Sequence, residues 1–135
     1  MSHPKIAVTM GDPAGVGPEI CLELLGNQRV SEHCVPIVFG DADVLSRCAE
    51  KTGKLKQYKE ITRAELNIAD APSVLSLDGI DIDKLTPGSV SEATGHATYR
   101  YLESAITACR RSEVDAVTTA PANKTALHQA GITQP

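Results

Sequence analysis

The stretch that decides the fold is residues 6–20, which read IAVTMGDPAGVGPEI. The apolar run Ile6–Met10 predicts a buried strand, and the glycine-rich segment after it predicts a tight turn. Pro18 and Glu19 are typical of the first turn of a helix, because proline lacks an N–H that would be unpaired there and glutamate favours the positive helix end. A glycine turn between a strand and a helix lets a ligand approach free backbone amides. The stretch therefore predicts a binding loop.

Strand and helix patterns alternate along the rest of the chain. Short apolar runs predict further strands at Val35–Gly40, Val74–Leu77 and Val114–Thr119, with a candidate edge strand at Leu55–Tyr58. Helical patterns occupy Glu19–Leu25, Ser91–Arg111 and Asn123–Ala130. One more helix is predicted to begin at the N-cap candidate Asp41 and to end near Gly53. Residues 78–88 fit either a loop or a short half-buried strand. Such alternation predicts an α/β fold with a mostly parallel sheet and flanking helices.

Periodic apolar residues predict which helix faces are buried. The expected faces are Ile20, Cys21, Leu24 and Leu25 in the first helix, Val44, Leu45 and Cys48 in the second, and Tyr99, Leu102, Ile106 and Cys109 in the longest.

Length and composition place the chain among ordinary globular proteins. It has 135 residues, enough for one medium domain, and only 3% of them are aromatic, so the core must be aliphatic. A net charge of −4 gives no reason to expect a nucleic-acid partner. We expect no membrane span and no signal peptide, and a cytoplasmic location. The 4 cysteines lack C-x-x-C spacing, and we expect buried small side chains rather than ligands or nucleophiles.

Two loops follow predicted strands and carry more polar groups than a plain connection needs. They are Gly11–Gly17 and Thr119–Lys124, and ligands of parallel sheets gather beyond the carboxyl ends of the strands. Asp12 in the first loop either binds a hydroxyl or a cation or simply caps the turn. In the second loop Asn123 and Lys124 offer an amide and a cation for a phosphate or carboxylate. The alternative is that Asn123 caps the helix and Lys124 is solvated.

Common catalytic and nucleotide-binding motifs do not fit. The first loop reads G-x-x-x-G-x-G rather than G-x-G-x-x-G, and no Lys-Ser/Thr pair follows it as a P-loop requires. His33, His96 and His128 do not share metal-ligand spacing with another His, Cys or acid. His96 is the least easily dismissed, because it follows Gly95 in an unusual ATGH run.

Three motifs together resemble the 4-hydroxythreonine-4-phosphate dehydrogenase family. They are MGDPAGVGPE at 10–19, TAPANK at 119–124 and AGI at 130–132. The APANK version and the segment Glu92–Tyr101 are similar to the branch that oxidises 4-phospho-threonate or phospho-erythronate. The first loop also resembles a turn of isopropylmalate and isocitrate dehydrogenases, whose fold the family shares.

The resemblance implies an NAD-dependent, divalent-metal-dependent dehydrogenase of pyridoxal phosphate biosynthesis that works as a homodimer. It would oxidise a phosphorylated hydroxy acid such as 4-phosphohydroxy-L-threonine, with Zn, Mg or Co as the metal, and the keto acid would lose carbon dioxide. By this likeness Gly15, Val16 and Gly17 lie near the nicotinamide of NAD. The same likeness implies that Asp12, Asn123 and Lys124 contact the phosphorylated substrate.

The chain departs from the family in length. Family members continue into a Gly-His-Thr-Glu motif and three metal-binding histidines, which have no counterpart here. We therefore expect residues 1–135 to form an incomplete N-terminal portion of the fold that does not turn over alone and self-associates through uncovered apolar surface. The alternatives are a non-catalytic phosphate-ester-binding relic, the phospho-D-threonate paralogue, and an unrelated α/β phosphate-ester enzyme.

Overall fold

A five-stranded parallel sheet forms the centre of the molecule. The computed structural model describes residues 3–132. The strands are β1 Lys5–Thr9, β2 Val35–Gly40, β3 Lys59–Ile61, β4 Ser73–Ser76 and β5 Ala116–Thr119. They lie in the order β3-β4-β2-β1-β5, so the strand that carries the first motif is flanked by β2 and β5. The predicted α/β class is confirmed.

Helices cover both faces of this sheet. They are α1 Gly17–Leu25, α2 Gln28–Ser31, α3 Ala42–Thr52, α4 Glu92–Arg110 and α5 Lys124–Gln129. Alternate residues of a strand point to opposite faces, and β1 shows this with Val8 in one core cluster and Ala7 in another. The Val8 cluster includes buried residues of α1 and α3, whereas the Ala7 cluster includes Ala105 and Ala108 of α4. The molecule therefore has three layers. The sheet lies between α1 and α3 on one side and the C-terminal half of α4 on the other.

The predicted buried face of α4 is mostly wrong, since of its four residues only Leu102 and Cys109 are half-buried. Tyr99 is 40% exposed and Ile106 is 49% exposed. The helix instead buries mainly small residues on the adjacent face, together with Tyr101: Thr94, Gly95, Ala97, Thr98, Tyr101, Ala105 and Ala108. The predicted stripe and the observed buried stripe both repeat with helical periodicity. The small residues of the observed stripe let the helix approach the sheet more closely than the larger Tyr99 and Ile106 would. Hydrophobicity alone favours the stripe with the larger side chains, which is the one left outside.

The predicted buried face of α1 is partly wrong. Ile20 is 44% exposed, while Pro18, Cys21, Leu22 and Leu25 are buried at helical spacing. The helix begins at Gly17, so its buried stripe starts from Pro18 rather than from Ile20.

Two other segments also differ from their predictions. The edge strand β3 lies at Lys59–Ile61 rather than at Leu55–Tyr58, because its register is fixed by pairing with β4, and Leu55 is 72% exposed. Residues 78–88 contain a short 3-10 helix at Ile82–Lys84 instead of a strand. The Asp81 carboxylate accepts the Asp83 N–H at 3.0 Å and turns the backbone there. None of the helices within residues 3–132 is long and apolar enough to cross a membrane.

Candidate functional site at the carboxyl edge of the sheet

The two sequence motifs meet at one edge of the sheet. Strands β1 and β5 are parallel neighbours, so the loops that leave their carboxyl ends lie side by side. The Ala120 N–H donates to the Thr9 carbonyl at 2.9 Å, and the Asp12 N–H donates to the Pro121 carbonyl at 3.1 Å. The Thr9 and Thr119 hydroxyls are 2.6 Å apart and hydrogen-bonded. This convergence was expected from the parallel-sheet prediction, and it brings Asp12 next to the loop of Asn123.

Two of the three motif glycines are needed for backbone packing. Gly11 has φ +72°, and a Cβ on it would lie 2.3 Å from the Pro121 carbonyl oxygen. A Cβ on Gly17 would lie 1.9 Å from the Met10 carbonyl oxygen. Any side chain at these positions would push the loops or the start of α1 apart. These glycines therefore have a structural function that requires no ligand.

Gly15 differs from the other two. It is exposed, and the nearest heavy atom to a Cβ placed on it is the Asp12 Cβ at 3.5 Å, an ordinary contact. Val16 beside it is 58% exposed and precedes α1 without a side-chain capping bond. The packing of the fold gives no reason for a glycine at 15. The close approach of a ligand to this backbone stays a prediction.

Asp12 has the turn-capping role that the sequence left open. It is only 6% exposed, and its Oδ1 accepts the Ala14 N–H at 2.9 Å. This bond closes the first half of the glycine loop. Its predicted role in substrate binding stays a prediction.

Asn123 caps α5, as one of the two interpretations predicted. Its Oδ1 accepts the Ala126 N–H at 3.0 Å. Lys124, the first residue of α5, is exposed and lines a groove of about 1040 Å³ between α4 and α5. Gly15 lines a separate cavity of about 190 Å³ beside α3. The predicted site residues therefore share one edge of the sheet, but Gly15 and Lys124 face different cavities.

Asp41 has a role that the sequence did not suggest. It stands at the N-cap of α3 as predicted but makes no side-chain capping bond. Its carboxylate instead accepts the Gly79 N–H at 3.0 and 3.1 Å and a hydrogen bond from the Tyr101 hydroxyl. Burial raises the pKa of Asp41, and burial beside this carboxylate raises the pKa of Tyr101. The cluster ties the end of β2 to α4 and to the loop after β4, and its partners are too distant in sequence to be inferred.

Gly95 and His96 have separate structural explanations. A Cβ on Gly95 would lie 1.9 Å from the Ala126 carbonyl oxygen, so this glycine lets α5 lie directly against α4. The His96 side chain is 58% exposed and lies 3.4 Å from the Glu92 carboxylate one turn earlier. Over residues 3–132 no group of three His, Cys, Asp or Glu side chains is placed to hold a metal ion.

Comparison with known proteins identifies the family. The model of the family described as "Pyridoxal phosphate biosynthetic protein PdxA" matches residues 32–135. The chain belongs to the PdxA family. This confirms the resemblance drawn from the three motifs, one of which lies before the matched segment.

Individual PdxA-family relatives carry two different names. The chain is 38% identical over 133 residues to a Symbiobacterium thermophilum protein named for D-threonate 4-phosphate dehydrogenase. It is 36% identical over 132 residues to the 4-hydroxythreonine-4-phosphate dehydrogenase of Trichlorobacter lovleyi. These matches cover 97% and 95% of the chain but only 40% and 39% of the relatives. The chain thus spans about two fifths of their length.

A solved structure confirms the fold assignment. The chain superposes on a 4-hydroxythreonine-4-phosphate dehydrogenase from Burkholderia phymatum with a TM-score of 0.87 at 33% identity. The match covers 100% of this chain and 41% of that one. The sheet order and the two motif loops described above therefore belong to the PdxA fold.

Proposed function

We propose that this chain supplies one side of the active site of an NAD-dependent dehydrogenase that oxidises a phosphorylated hydroxy acid. The observation that carries the proposal is the meeting of the two motif loops at the carboxyl edge of β1 and β5. Ligands of parallel sheets bind at such edges. Membership of the PdxA family and relatives named as dehydrogenases give the reaction class.

The substrate is a small acid with a phosphate ester and a hydroxyl group. The candidates are 4-phosphohydroxy-L-threonine and 4-phospho-D-threonate, since relatives of nearly equal identity are named for each. Lys124 is an exposed cation beside this edge and is proposed to bind the phosphate or the carboxylate. Asp12 and the free amide group of Asn123 are proposed to contact the substrate from the two loops.

The described residues fit one part of an NAD site. Gly15 and Val16 are exposed, their loop opens α1, and packing does not explain the glycine. We propose that the backbone at 15–17 lies along the nicotinamide end, with Gly17 positioning the helix start. NAD would accept the hydride from the carbon that bears the substrate hydroxyl, and decarboxylation of the keto acid would follow.

The same residues do not fit a metal site. No cluster of ligating side chains occurs in the part of the chain that the structure describes. We therefore assign no step through a metal to this chain. In the proposed enzyme the remaining polypeptide of the PdxA fold, or a second subunit of a homodimer, supplies that chemistry.

A chimera tests the proposal. It joins residues 1–135 to the part of the Symbiobacterium thermophilum relative that follows the matched segment, and is called the chimera below. We expect it to form NADH from at least one of the two phosphorylated acids when NAD and Mg²⁺, Zn²⁺ or Co²⁺ are present. The C-terminal part alone should form none. Lys124→Met should raise KM for the phosphorylated acid more than it changes kcat, whereas Lys56→Met, at another exposed lysine, should change neither.

A non-catalytic role is the second candidate. It is favoured by the same absence of clustered metal ligands over residues 3–132. In that case the 135-residue chain would bind a phosphate ester without any metal, and Lys124→Met would abolish this binding. Calorimetric titration with 4-phospho-D-threonate in the presence of EDTA distinguishes the two, because the dehydrogenase proposal expects no measurable binding to the chain alone.

A further inference from the structure

The connection between β4 and α4 contacts the glycine loop that follows β1. Its residues 82–89, called the 82–89 segment below, end in a turn that is closed by a hydrogen bond of 3.0 Å from the Ser89 N–H to the Thr86 carbonyl. Gly88 has φ +80° at the third position of this turn, where a type II turn requires a positive φ. The Gly88 N–H donates to the Ala14 carbonyl at 2.6 Å. A backbone hydrogen bond therefore joins the 82–89 segment to the glycine loop.

Arg47 of α3 holds the same segment from the other side. Its Nη1 donates to the Ile82 carbonyl at 3.2 Å, and its Nη2 donates to the Leu85 carbonyl at 2.9 Å. Leu85 follows the short 3-10 helix, and arginine side chains commonly bind the carbonyls at the end of a helix. The planar guanidinium reaches both acceptors at once, which a single ammonium group does less well. Arg47 therefore fixes the 82–89 segment relative to α3.

The same elements enclose the small cavity beside α3. Leu85 is 6% exposed and belongs to one buried cluster with Val44 of α3 and Ala14 of the glycine loop. Together with Arg47 and Gly15, these residues line the cavity of about 190 Å³. Among the described residues, the hydrogen bonds of the Arg47 side chain go to the 82–89 segment and not to the glycine loop. Any effect of Arg47 on the loop backbone therefore passes through the segment.

The bond from Gly88 acts at the point where the glycine loop becomes exposed. The Ala14 N–H donates to the Asp12 carboxylate at 2.9 Å, and the Ala14 carbonyl accepts the bond from Gly88, so both backbone groups of Ala14 are paired. Gly15 and Val16, which follow, are exposed. The peptide unit between Ala14 and Gly15 is planar. A bond to the Ala14 carbonyl therefore also sets the direction of the Gly15 N–H.

We propose that Arg47 is a positioning residue for the glycine loop. By holding the 82–89 segment it keeps the Gly88 N–H on the Ala14 carbonyl, and so it fixes the peptide plane that precedes Gly15. This plane begins the stretch of backbone assigned above to the nicotinamide end of NAD. The consequence for NAD affinity rests on the proposed function, whereas the consequence for the loop rests only on the hydrogen bonds of this chain.

Hydrogen exchange of single amides, followed by NMR in the 135-residue chain, tests the effect on the loop. Arg47→Met removes both donors and keeps an unbranched side chain. We expect the amides of Gly88 and Gly15 to exchange at least about tenfold faster than in the parent, because local opening no longer breaks hydrogen bonds to a charged donor. The Leu127 amide of α5 should exchange at the parent rate, because opening of α5 breaks no contact of Arg47.

Two further variants keep the test specific. Arg63→Met removes an arginine that donates to a side chain of α4, outside the 82–89 segment, and should leave exchange at Gly88 and Gly15 unchanged. Arg47→Lys covers the case in which Arg47→Met does not fold. Its ammonium group keeps the charge but lacks the planar fork, so we expect exchange at Gly88 at least about threefold faster than in the parent.

Kinetics of the chimera test the consequence for the cofactor. Arg47→Met should raise KM for NAD at least about threefold, because a displaced loop backbone weakens cofactor binding before the chemical step. The KM for the phosphorylated acid and kcat should stay within about twofold of the parent, a split that a general loss of stability would not produce. Arg63→Met should change none of the three.

Three results would overturn the proposal. The first is an unchanged exchange rate at Gly15 in Arg47→Met, because the segment would then not set the loop. The second is equal acceleration at Gly88 and Gly15 in Arg63→Met, which would make the effect a general loss of stability. The third is an active Arg47→Met chimera with unchanged KM for NAD. Faster exchange at Gly15 in Arg47→Met, with a parent chimera that forms no NADH, would support the positioning of the loop and contradict the proposed function.

Discussion

Alanine substitution of the motif glycines separates packing from ligand binding. In Gly17→Ala the new Cβ would lie 1.9 Å from the Met10 carbonyl oxygen, so the start of α1 would have to move away from β1 by more than about 1 Å. Forcing an extra methyl group into a packed site costs about 1–3 kcal/mol. For a chain of 135 residues this lowers Tm by roughly 3–10 °C. In Gly15→Ala the nearest contact is 3.5 Å, and we expect Tm to stay within about 2 °C of the parent.

The assay has two parts. Thermal melting of the 135-residue chain by circular dichroism gives the stability of each variant. Steady-state NADH formation by the chimera gives KM for NAD, which Gly15→Ala should raise because its methyl group occupies space at the exposed backbone. A Gly15→Ala variant as unstable as Gly17→Ala would refute the packing argument. A stable Gly15→Ala chimera with unchanged KM for NAD would refute the cofactor role of this glycine.

Further predictions concern the buried Asp41 cluster and the isolated chain. Asp41→Asn keeps only one of the two oxygen acceptors that Gly79 and Tyr101 use, and it removes the buried charge. Burial holds the pKa of Asp41 above its usual value, so the parent loses stability as pH rises through that raised pKa. The Tm of Asp41→Asn minus that of the parent should therefore increase as pH rises from the usual aspartate value near 4 through the raised pKa of Asp41, and level off above it; a constant difference would contradict this assignment. Tyr101→Phe should lower the free energy of unfolding by about 1–3 kcal/mol, because it removes a buried hydrogen bond to a carboxylate. In urea titrations, a change below about 0.5 kcal/mol would count against that bond. Burial, with Cys48 nearby, raises the pKa of Cys21 to about 12. At pH 8 in the folded chain Cys21 should therefore resist iodoacetamide, while the partly exposed Cys34 reacts. The purified 135-residue chain should form no NADH with either phosphorylated acid; a detectable rate would show that it contains a complete site.

The strand–turn–helix at residues 6–20 could be predicted because its signals are local. An apolar run, a glycine segment and Pro18 together determine the start of α1 and the position of the loop beyond β1. The parallel alternation then predicts that Gly11–Gly17 and Thr119–Lys124 lie at the same edge, as they do. Asn123 shows the limit of this reasoning, because helix capping and ligand binding use the same side chain and only the structure shows the capping bond.

The burial pattern of the helices could not be predicted because it depends on the packing distance between layers. In α4 the face with Ala105 and Ala108 approaches the sheet, and the larger Tyr99 and Ile106 remain outside. Hydrophobicity identifies both stripes as apolar but does not say which of two layers each one meets. The partners of Asp41 lie 38 and 60 residues away, so no local pattern marks them.

The most direct test of the central claim is the rate of NADH formation by the chimera with 4-phospho-D-threonate or 4-phosphohydroxy-L-threonine, NAD and a divalent metal. We expect a measurable rate, absent from either part alone, and a KM for the phosphorylated acid that rises in Lys124→Met but not in Lys56→Met. A chimera that melts cooperatively but forms no NADH from either acid would contradict the claim that this edge of the sheet belongs to a dehydrogenase site.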